Sequence, residues 1–199
     1  YVVATMSAGK STFINAMLGC ELLPAANEAT TATIATITDH DAYSAGKFTG
    51  VRIDKDDQEA DREEHVDLAT MQRWNSEDDT RLIELEGNVL GIKEREEVRL
   101  KVTDTPGPNN SQDSEHERVT MTYIEDSVRN PLIIYLLNGT QLGAKDDQKV
   151  LTDIAEIMKK GGKQSKDRFI FVANKMDSFD EEKGESIEKA LINIRTYLE

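Results

Sequence analysis

The residues best suited to chemistry lie near the start of the chain, in the stretch "ATMSAGKST" at residues 4–12. A phosphate-binding loop reads G-x-x-x-x-G-K-[ST], and this stretch has Gly9, Lys10 and Ser11 in place but Ala4 at the first glycine position. In such a loop the lysine ammonium reaches the β- and γ-phosphates, and the serine hydroxyl binds Mg²⁺. The stretch therefore predicts a nucleotide site.

The elements around this loop have the order that a phosphate site requires. "YVVA" predicts a strand that runs into the loop, and "KSTFINAML" at 10–18 predicts a helix that Gly19 ends. A strand, a tight loop and a helix point several backbone N–H groups at one spot, together with the positive end of the helix dipole. The predicted phosphate-binding residues are Ala8, Gly9, Lys10, Ser11 and Thr12.

The conformational free energy that alanine costs at the first glycine position depends on the backbone φ angle there. With a positive φ, the methyl group of Ala4 costs about 1–2 kcal/mol, whereas with a negative φ it costs almost nothing. Gly9 is the less dispensable of the two positions, because it brings the backbone close to the phosphates.

A second motif, D-x-x-G, stands in "VTDTPG" at Asp104 and Gly107. It follows a predicted strand, and open α/β sheets bind ligands at the carboxyl ends of their strands. Asp104 there can hold a water bound to Mg²⁺, and the Gly107 N–H can meet the γ-phosphate.

A third motif, "NKMD" at 174–177, indicates which base is bound. Guanine presents a ring N–H beside an exocyclic amine, and Asp177 can accept from both. Asn174 can donate to N7 of the purine, and the aliphatic stem of Lys175 can lie along the base. Adenine has no such pair of donors, so Asp177 argues against an ATPase or a kinase.

Strands alternate with helices along the rest of the chain. Strands are predicted within 21–40, 81–87, 98–104, 131–139 and 168–174, and helices at 115–129, 145–160 and 181–199. This alternation predicts an α/β fold in three layers around a mostly parallel central sheet. The acidic run at 54–65 is interpreted as a solvated loop, and Trp74 as a packing residue.

Composition limits the partners of this segment. Its 199 residues carry a net charge of −14, which argues against nucleic acid or anionic lipid, since both need a basic face. Cys20 is the single cysteine, so no intrachain disulfide is possible, as expected in the cytoplasm. The first residues lie inside a strand and the last inside a helix, so we expect an excerpt of a longer protein.

Taken together, the motifs resemble those of the dynamin-like large GTPases, especially the bacterial members. The resemblance rests on "MSAGKSTFINAMLG", "LLPAANEATTATI", "DTPGPNN" and "NKMD", and on the long insert at 41–98. It implies that 1–199 is a GTPase domain, truncated at both ends, which lacks the last strand and helix and the base-closing motif. It also implies a homodimer across the nucleotide face, with a helical stalk and a membrane-contacting tip outside this chain.

The resemblance assigns further roles by position. Thr31 would be the switch threonine that ligates Mg²⁺ and places the attacking water, with Thr30 as the alternative, and Ser7 matches the phosphate-loop serine. Met6 is a departure, because eukaryotic dynamins have a water-assisting glutamine there and methionine cannot hydrogen-bond a water usefully.

The function expected from the sequence is GTP binding and Mg²⁺-dependent hydrolysis by a cytoplasmic protein that is peripheral to a membrane. The catalytic set is Lys10, Thr31, Gly107 and Ser7, and the metal set is Ser11, Thr31 and Asp104. Two alternatives remain. One is a nucleotide-binding scaffold with negligible hydrolysis, which the residues at positions 4 and 6 suggest. The other is a translation- or ribosome-associated GTPase, against which the acidic charge and the insert argue.

Overall fold

The computed structural model describes residues 1–4, 7–24, 33–90, 92, 98–105, 114–125, 129–142, 145–160, 167–180 and 186–198. These form two compact units. The first unit consists of Val2 and Lys10–Pro106, and the second of Tyr1, Val3–Gly9 and Gly107–Glu199.

In its described residues the first unit is a mixed sheet with two helices. Its elements are α1 (Lys10–Leu18), β2 (Ile34–Asp39), β3 (Phe48–Asp54), β4 (Glu59–Glu63), α2 (Leu68–Ser76), β5 (Thr80–Gly87) and β6 (Lys101–Asp104), and strand β1 (Val2–Ala4) pairs with β6 through Val2. The strand order is β4-β3-β5-β2-β6-β1. Pairs β1/β6 and β2/β5 are parallel, and β2/β6, β3/β5 and β3/β4 are antiparallel. Strand β2 is buried along nearly its whole length.

The acidic run at 54–65 is a hairpin, so its interpretation as a solvated loop is wrong. Strand β3 ends at Asp54, whose Oδ1 accepts hydrogen bonds from the amides of Asp56 and Gln58, both at 2.9 Å. Asp57 in this turn has a φ of +61°, and β4 then pairs antiparallel with β3. The sequence did not reveal strand β4 because this strand lies at the edge of the sheet and consists almost entirely of charged residues. Charges protect an edge strand from pairing with another chain, but they leave no apolar alternation to recognise.

Helix α2 covers this part of the sheet with the packing residue that the sequence indicated. Trp74 is fully buried, and Asp67 caps the helix by accepting from the Thr70 amide at 2.9 Å. Gly50 of β3 makes room for the indole, since a Cβ there would lie 3.2 Å from Cζ3 of Trp74 and 2.6 Å from Cδ2 of Leu85.

The second unit has the strand order β1-β7-β8 and three helices in its described part. Its elements are α3 (Ser114–Ile124), β7 (Ile133–Asn138), α4 (Lys145–Lys160), β8 (Phe169–Asn174), a 3₁₀ turn (Met176–Ser178) and α5 (Ile187–Leu198). Strands β7 and β8 are parallel and in register from Ile133 with Phe169 to Asn138 with Asn174. Its core is formed by Val3, Ile124, Ile133, Tyr135, Leu137, Val150, Ile154, Phe169 and Ile194.

Helix α3 is shorter than predicted, although the α/β class with its mostly parallel central sheet is confirmed. Helix α3 ends at Ile124 rather than 129, where the buried Arg168 donates to the Ile124 carbonyl at 2.7 Å. Helix α5 begins at Ile187, where Ser186 caps it by accepting from the Lys189 amide at 3.4 Å, and the predicted helical residues 181–185 lie outside the described residues.

Candidate functional site

The first glycine position of the phosphate loop lies in a regular strand. Ala4 is the last residue of β1, is buried, and is not among the residues with positive φ. An L-residue adopts this conformation without strain. The alanine therefore introduces no backbone strain at this position.

The second glycine position needs glycine for two reasons. Gly9 has a φ of +85°, and a Cβ there would lie 2.7 Å from Nδ2 of Asn174. That same Nδ2 donates a hydrogen bond to the Ala8 carbonyl at 2.7 Å. Because a side-chain amide has two N–H donors, Asn174 retains one for a purine N7.

Two more site residues have left-handed backbones. Ser7, which is exposed, has a φ of +63°, and Lys175 has a φ of +61°. This conformation costs a residue with a side chain about 1–2 kcal/mol. At Lys175 it is held by hydrogen bonds on both sides, from the Gly139 amide to the Asn174 carbonyl at 2.9 Å and from the Ser178 amide to the Lys175 carbonyl at 3.1 Å.

In the first unit the structure brings together the lysine of the phosphate loop and the carboxylate of the D-x-x-G motif. Nζ of Lys10 lies 2.7 Å from Oδ1 of Asp104, and the two side chains are 16% and 18% exposed. Asp104 is held by the pairing of β6 with Val2 of β1, and next to it the Thr105 hydroxyl donates to the Val2 carbonyl at 3.0 Å.

The oxygens near Lys10 fit a magnesium ion. Oδ1 of Asp104 is buried and accepts no hydrogen bond of good geometry, its contact with Lys10 being an ion pair. Ser11, half-buried, is in the first turn of α1. Such hard oxygen donors, few in number, are those that Mg²⁺ takes from proteins. Within the described residues no group of three or more His, Cys, Asp or Glu side chains could hold a metal.

Of the other predicted residues, the structure describes some and leaves others outside its described ranges. Ala8 is buried, whereas Thr12, on α1, and Asp177, in the 3₁₀ turn after β8, are exposed. Thr31, its alternative Thr30, Gly107 and Met6 lie outside the described residues, and their roles stay predictions.

The family of the chain follows from comparison with known proteins. A family model described as the dynamin family matches residues 1–176. The chain belongs to the dynamin family. The resemblance in the motifs is thereby confirmed, and dynamin-family members are GTPases.

Solved structures agree with the fold of a dynamin-family chain. Two matches, both of an oligomerised bacterial dynamin pair described as a mechanism for long-range sensing and tethering of membranes, have TM-scores of 0.65 and 0.63 at 18% and 17% identity. Each match covers 99% of this chain but 29% of the other. A search of curated proteins finds no match.

Two residues of this dynamin-family chain support the site without having been predicted. Asn15 of α1 accepts from the Leu22 and Leu23 amides at 3.1 and 2.8 Å and donates to the Leu23 carbonyl at 2.7 Å, which fixes the chain just before the segment that contains Thr31. Gly139 is the other, through its bond to Asn174. The dipeptide Asn-Gly after a buried strand is a turn signal that could have revealed it.

Proposed function

We propose that this chain binds GTP and hydrolyses it in the presence of Mg²⁺. The observation that carries the proposal is the ion pair of Lys10 with Asp104. It brings together one cationic and one anionic residue of two separate nucleotide motifs, in a chain of a GTPase family.

On binding, Lys10 exchanges partners. A nucleotide triphosphate carries more negative charge than one carboxylate, so the ammonium turns from Asp104 to the β- and γ-phosphates. The amides that follow Ala8 in the loop donate to the phosphates, helped by the dipole of α1. This exchange frees the Asp104 carboxylate.

Ser11 and the freed Asp104 would hold Mg²⁺, Ser11 through its hydroxyl and Asp104 through a water. When bound, the ion neutralises charge on the phosphate oxygens. Thr31 completes the predicted metal set and places the attacking water, and the Gly107 amide and Ser7 contact the γ-phosphate side. With no general base among these groups, the catalysis consists of positioning and charge stabilisation.

The base is recognised by the loop Asn174–Asp177. Asn174 donates to N7 and also holds the Ala8 carbonyl, so the same amide serves the base and the phosphate loop. The stem of Lys175 covers the base, and Asp177 accepts from the guanine ring N–H and amine. A carboxylate aimed at this pair of donors rejects adenine.

The test of this proposal is GTP turnover by the intact protein, measured as phosphate release with Mg²⁺ and with EDTA. We expect Mg²⁺-dependent turnover that Thr31→Ala abolishes while GDP binding stays intact, because GDP lacks the γ-phosphate that orders such switches. Thr30→Ala is the matched control, and loss of turnover there instead would reassign the switch threonine. Tight GTP binding without turnover in the wild type would support the scaffold alternative.

We further propose that the protein forms a nucleotide-dependent homodimer and acts at a membrane through regions outside this chain. Support comes from the oligomerised bacterial dynamin pairs that share the fold. No helix in the described part of the chain is long and apolar enough to span a bilayer. We also propose that the 41–98 segment is an insert of this domain. The proposed location is cytoplasmic.

Light scattering tests the dimer. We expect a larger mass with a GTP transition-state mimic than with GDP, and an identical mass in both states would remove this part of the proposal. Flotation of the intact protein with liposomes tests the membrane. The isolated domain should remain unbound, because its net charge of −14 disfavours an anionic surface.

A further inference from the structure

One buried side chain, that of Asn138, organises the turn after β7. Its exposed fraction is 5%. Oδ1 accepts from the amide and the hydroxyl of Thr140 at 3.1 and 2.7 Å, and Nδ2 donates to Oε1 of Gln141 at 3.4 Å. The Gln141 amide also donates to the Asn138 carbonyl at 3.0 Å. An asparagine that bonds the backbone two residues on fixes a turn, so the path of 138–141 depends on this amide group.

The turn contacts the base-recognition loop, Asn174–Asp177, through the backbone of Gly139. The Gly139 amide donates to the Asn174 carbonyl at 2.9 Å. A Cβ on Gly139 would lie 2.6 Å from Sδ of Met176 and 3.0 Å from the Asn174 carbonyl oxygen, so only a bare backbone fits there. The contact is reached because Asn138 and Asn174 are register partners at the carboxyl ends of two parallel strands.

This contact holds the peptide that determines the course of the loop. The Asn174 carbonyl belongs to the peptide that leads into Lys175, whose φ is +61°. A lysine rarely adopts this conformation, so external bonds must keep it there. Rotation of this peptide would turn Lys175 and Asp177 away from their present positions relative to Asn174.

We propose that Asn138 is a positioning residue for guanine recognition. It acts on the base-recognition loop through the Gly139 amide, and nothing in its own contacts requires it to touch nucleotide. The inference rests on the proposed GTP site and adds to it a residue outside the three nucleotide motifs.

The test compares affinities for GTP and ATP in the intact protein, by calorimetry, for the wild type and for Asn138 variants. Asn138→Ala removes the acceptor of both Thr140 bonds, and we expect GTP affinity to fall about tenfold. ATP affinity should fall less than GTP affinity, because adenine lacks the pair of donors that Asp177 accepts from and so depends less on the position of the loop. Asn138→Asp keeps the acceptor oxygen, so we expect its preference for GTP to remain within about threefold of the wild type.

Ile133→Val is the matched control for stability. Ile133 is fully buried at the opposite end of the same strand, so this variant should lower Tm while leaving the ratio of GTP to ATP affinity unchanged. Thr140→Val covers the case in which Asn138→Ala does not fold, since it removes only the hydroxyl bond and should lower the ratio by about threefold.

The outcomes separate the two proposals. An unchanged ratio in Asn138→Ala, or in Thr140→Val if the former does not fold, overturns the positioning role. An equal fall in Ile133→Val also overturns it, because the effect would then come from stability. A wild type without preference for GTP overturns the proposed guanine site itself, and this inference with it.

Discussion

The ammonium of Lys10 and the carboxylate of Asp104 form an ion pair with Nζ and Oδ1 2.7 Å apart, although the two residues stand 94 positions apart in the sequence. Both side chains are largely shielded from solvent, so the pair is less screened than one on the open surface. The residues predicted to meet phosphate and Mg²⁺ therefore share one electrostatic environment.

We expect Lys10→Met to weaken GTP and GDP binding by about 30-fold or more. In the bound state Lys10 pairs with the phosphates, and truncating one partner of such a shielded charge pair costs about 2–5 kcal/mol. Calorimetric titration measures the effect. Lys101→Met, on the exposed side of β6, is the matched control and should bind as the wild type does. Equal losses in the two variants would mean that Lys10 has no specific role.

We expect Ala4→Gly to change nucleotide affinity by less than about threefold. Because Ala4 lies in a strand without positive φ, a glycine gains nothing there and costs about 0.5–1 kcal/mol of stability through chain entropy. Titration with GDP and thermal unfolding measure the two quantities. A tenfold gain in affinity would show that the alanine had impaired the loop.

Gly9→Ala is expected to weaken GDP and GTP binding by about 30- to 100-fold. The new methyl group meets a left-handed backbone, and it displaces the Asn174 amide from its bond to the Ala8 carbonyl. Together these cost about 2–3 kcal/mol. Binding is measured by titration with a fluorescent nucleotide.

Gly19→Ala is the control for Gly9→Ala. Gly19 also has a positive φ, of 73°, and a Cβ there would lie 2.9 Å from Cβ of Leu90. It stands at the far end of α1, about 13 Å of helix away from Lys10. We expect Gly19→Ala to lower Tm without a comparable loss of nucleotide binding. Equal losses of binding in Gly9→Ala and Gly19→Ala would mean that both substitutions act by impairing folding.

Much of the fold could be predicted because strong local patterns specify it. Helices α1 and α4 begin and end as predicted, at 10–18 and 145–160, since their apolar residues recur at helical spacing. The hairpin of β3 and β4 could not be predicted, because its outer strand, β4, consists mainly of charged residues and has no apolar alternation.

The site was only partly predictable for a different reason. Motifs identify residues that touch a ligand, and Lys10 and Asp104 were found in this way. Asn15 and Asn138 instead bond backbone groups whose positions follow from the folded chain, so neither carries a ligand motif. The roles of Thr31 and Gly107 rest on the motifs alone and stay predictions.

Acid is expected to destabilise the 41–98 segment through Asp61. The indole N–H of Trp74 donates to its Oδ2 at 2.8 Å, and Arg73 pairs with it at 2.7 Å; these contacts lower the pKa of Asp61 below its ordinary value of 3.8. A lowered folded-state pKa means that the carboxylate stabilises the fold above the unfolded pKa. This contribution is lost as pH falls through the folded-state value.

We therefore expect the difference in unfolding free energy between wild type and Asp61→Asn to be constant near neutral pH and to shrink below about pH 4. Urea unfolding followed by the fluorescence of Trp74, the single tryptophan, measures it. Asp78→Asn, at an exposed position of the same segment, is the control and should differ little from the wild type at any pH. A difference for Asp61→Asn that persists to pH 2 would contradict the assignment.

The preference for guanine is expected to depend on Asp177. Its carboxylate stands in the 3₁₀ turn directly after Lys175, exposed and free to face a base. The wild type should prefer GTP to ATP by a large factor. A bound adenine would cover the Asp177 carboxylate from water without donating a hydrogen bond to it. Competition between GTP and ATP for a fluorescent nucleotide on the intact protein measures this preference.

Asp177→Asn should then lose GTP and gain XTP. Xanthine carries a carbonyl where guanine carries its amine, and the new amide can donate to that carbonyl whereas a carboxylate repels it. Asp180→Asn, at the other side of the same turn, is the matched control and should keep the preference for GTP. GTP, ATP and XTP make the same phosphate contacts, so a changed preference among them reflects recognition of the base by residue 177. Equal affinity of the wild type for GTP and ATP, or no gain of XTP in the variant, would mean that "NKMD" forms only a turn.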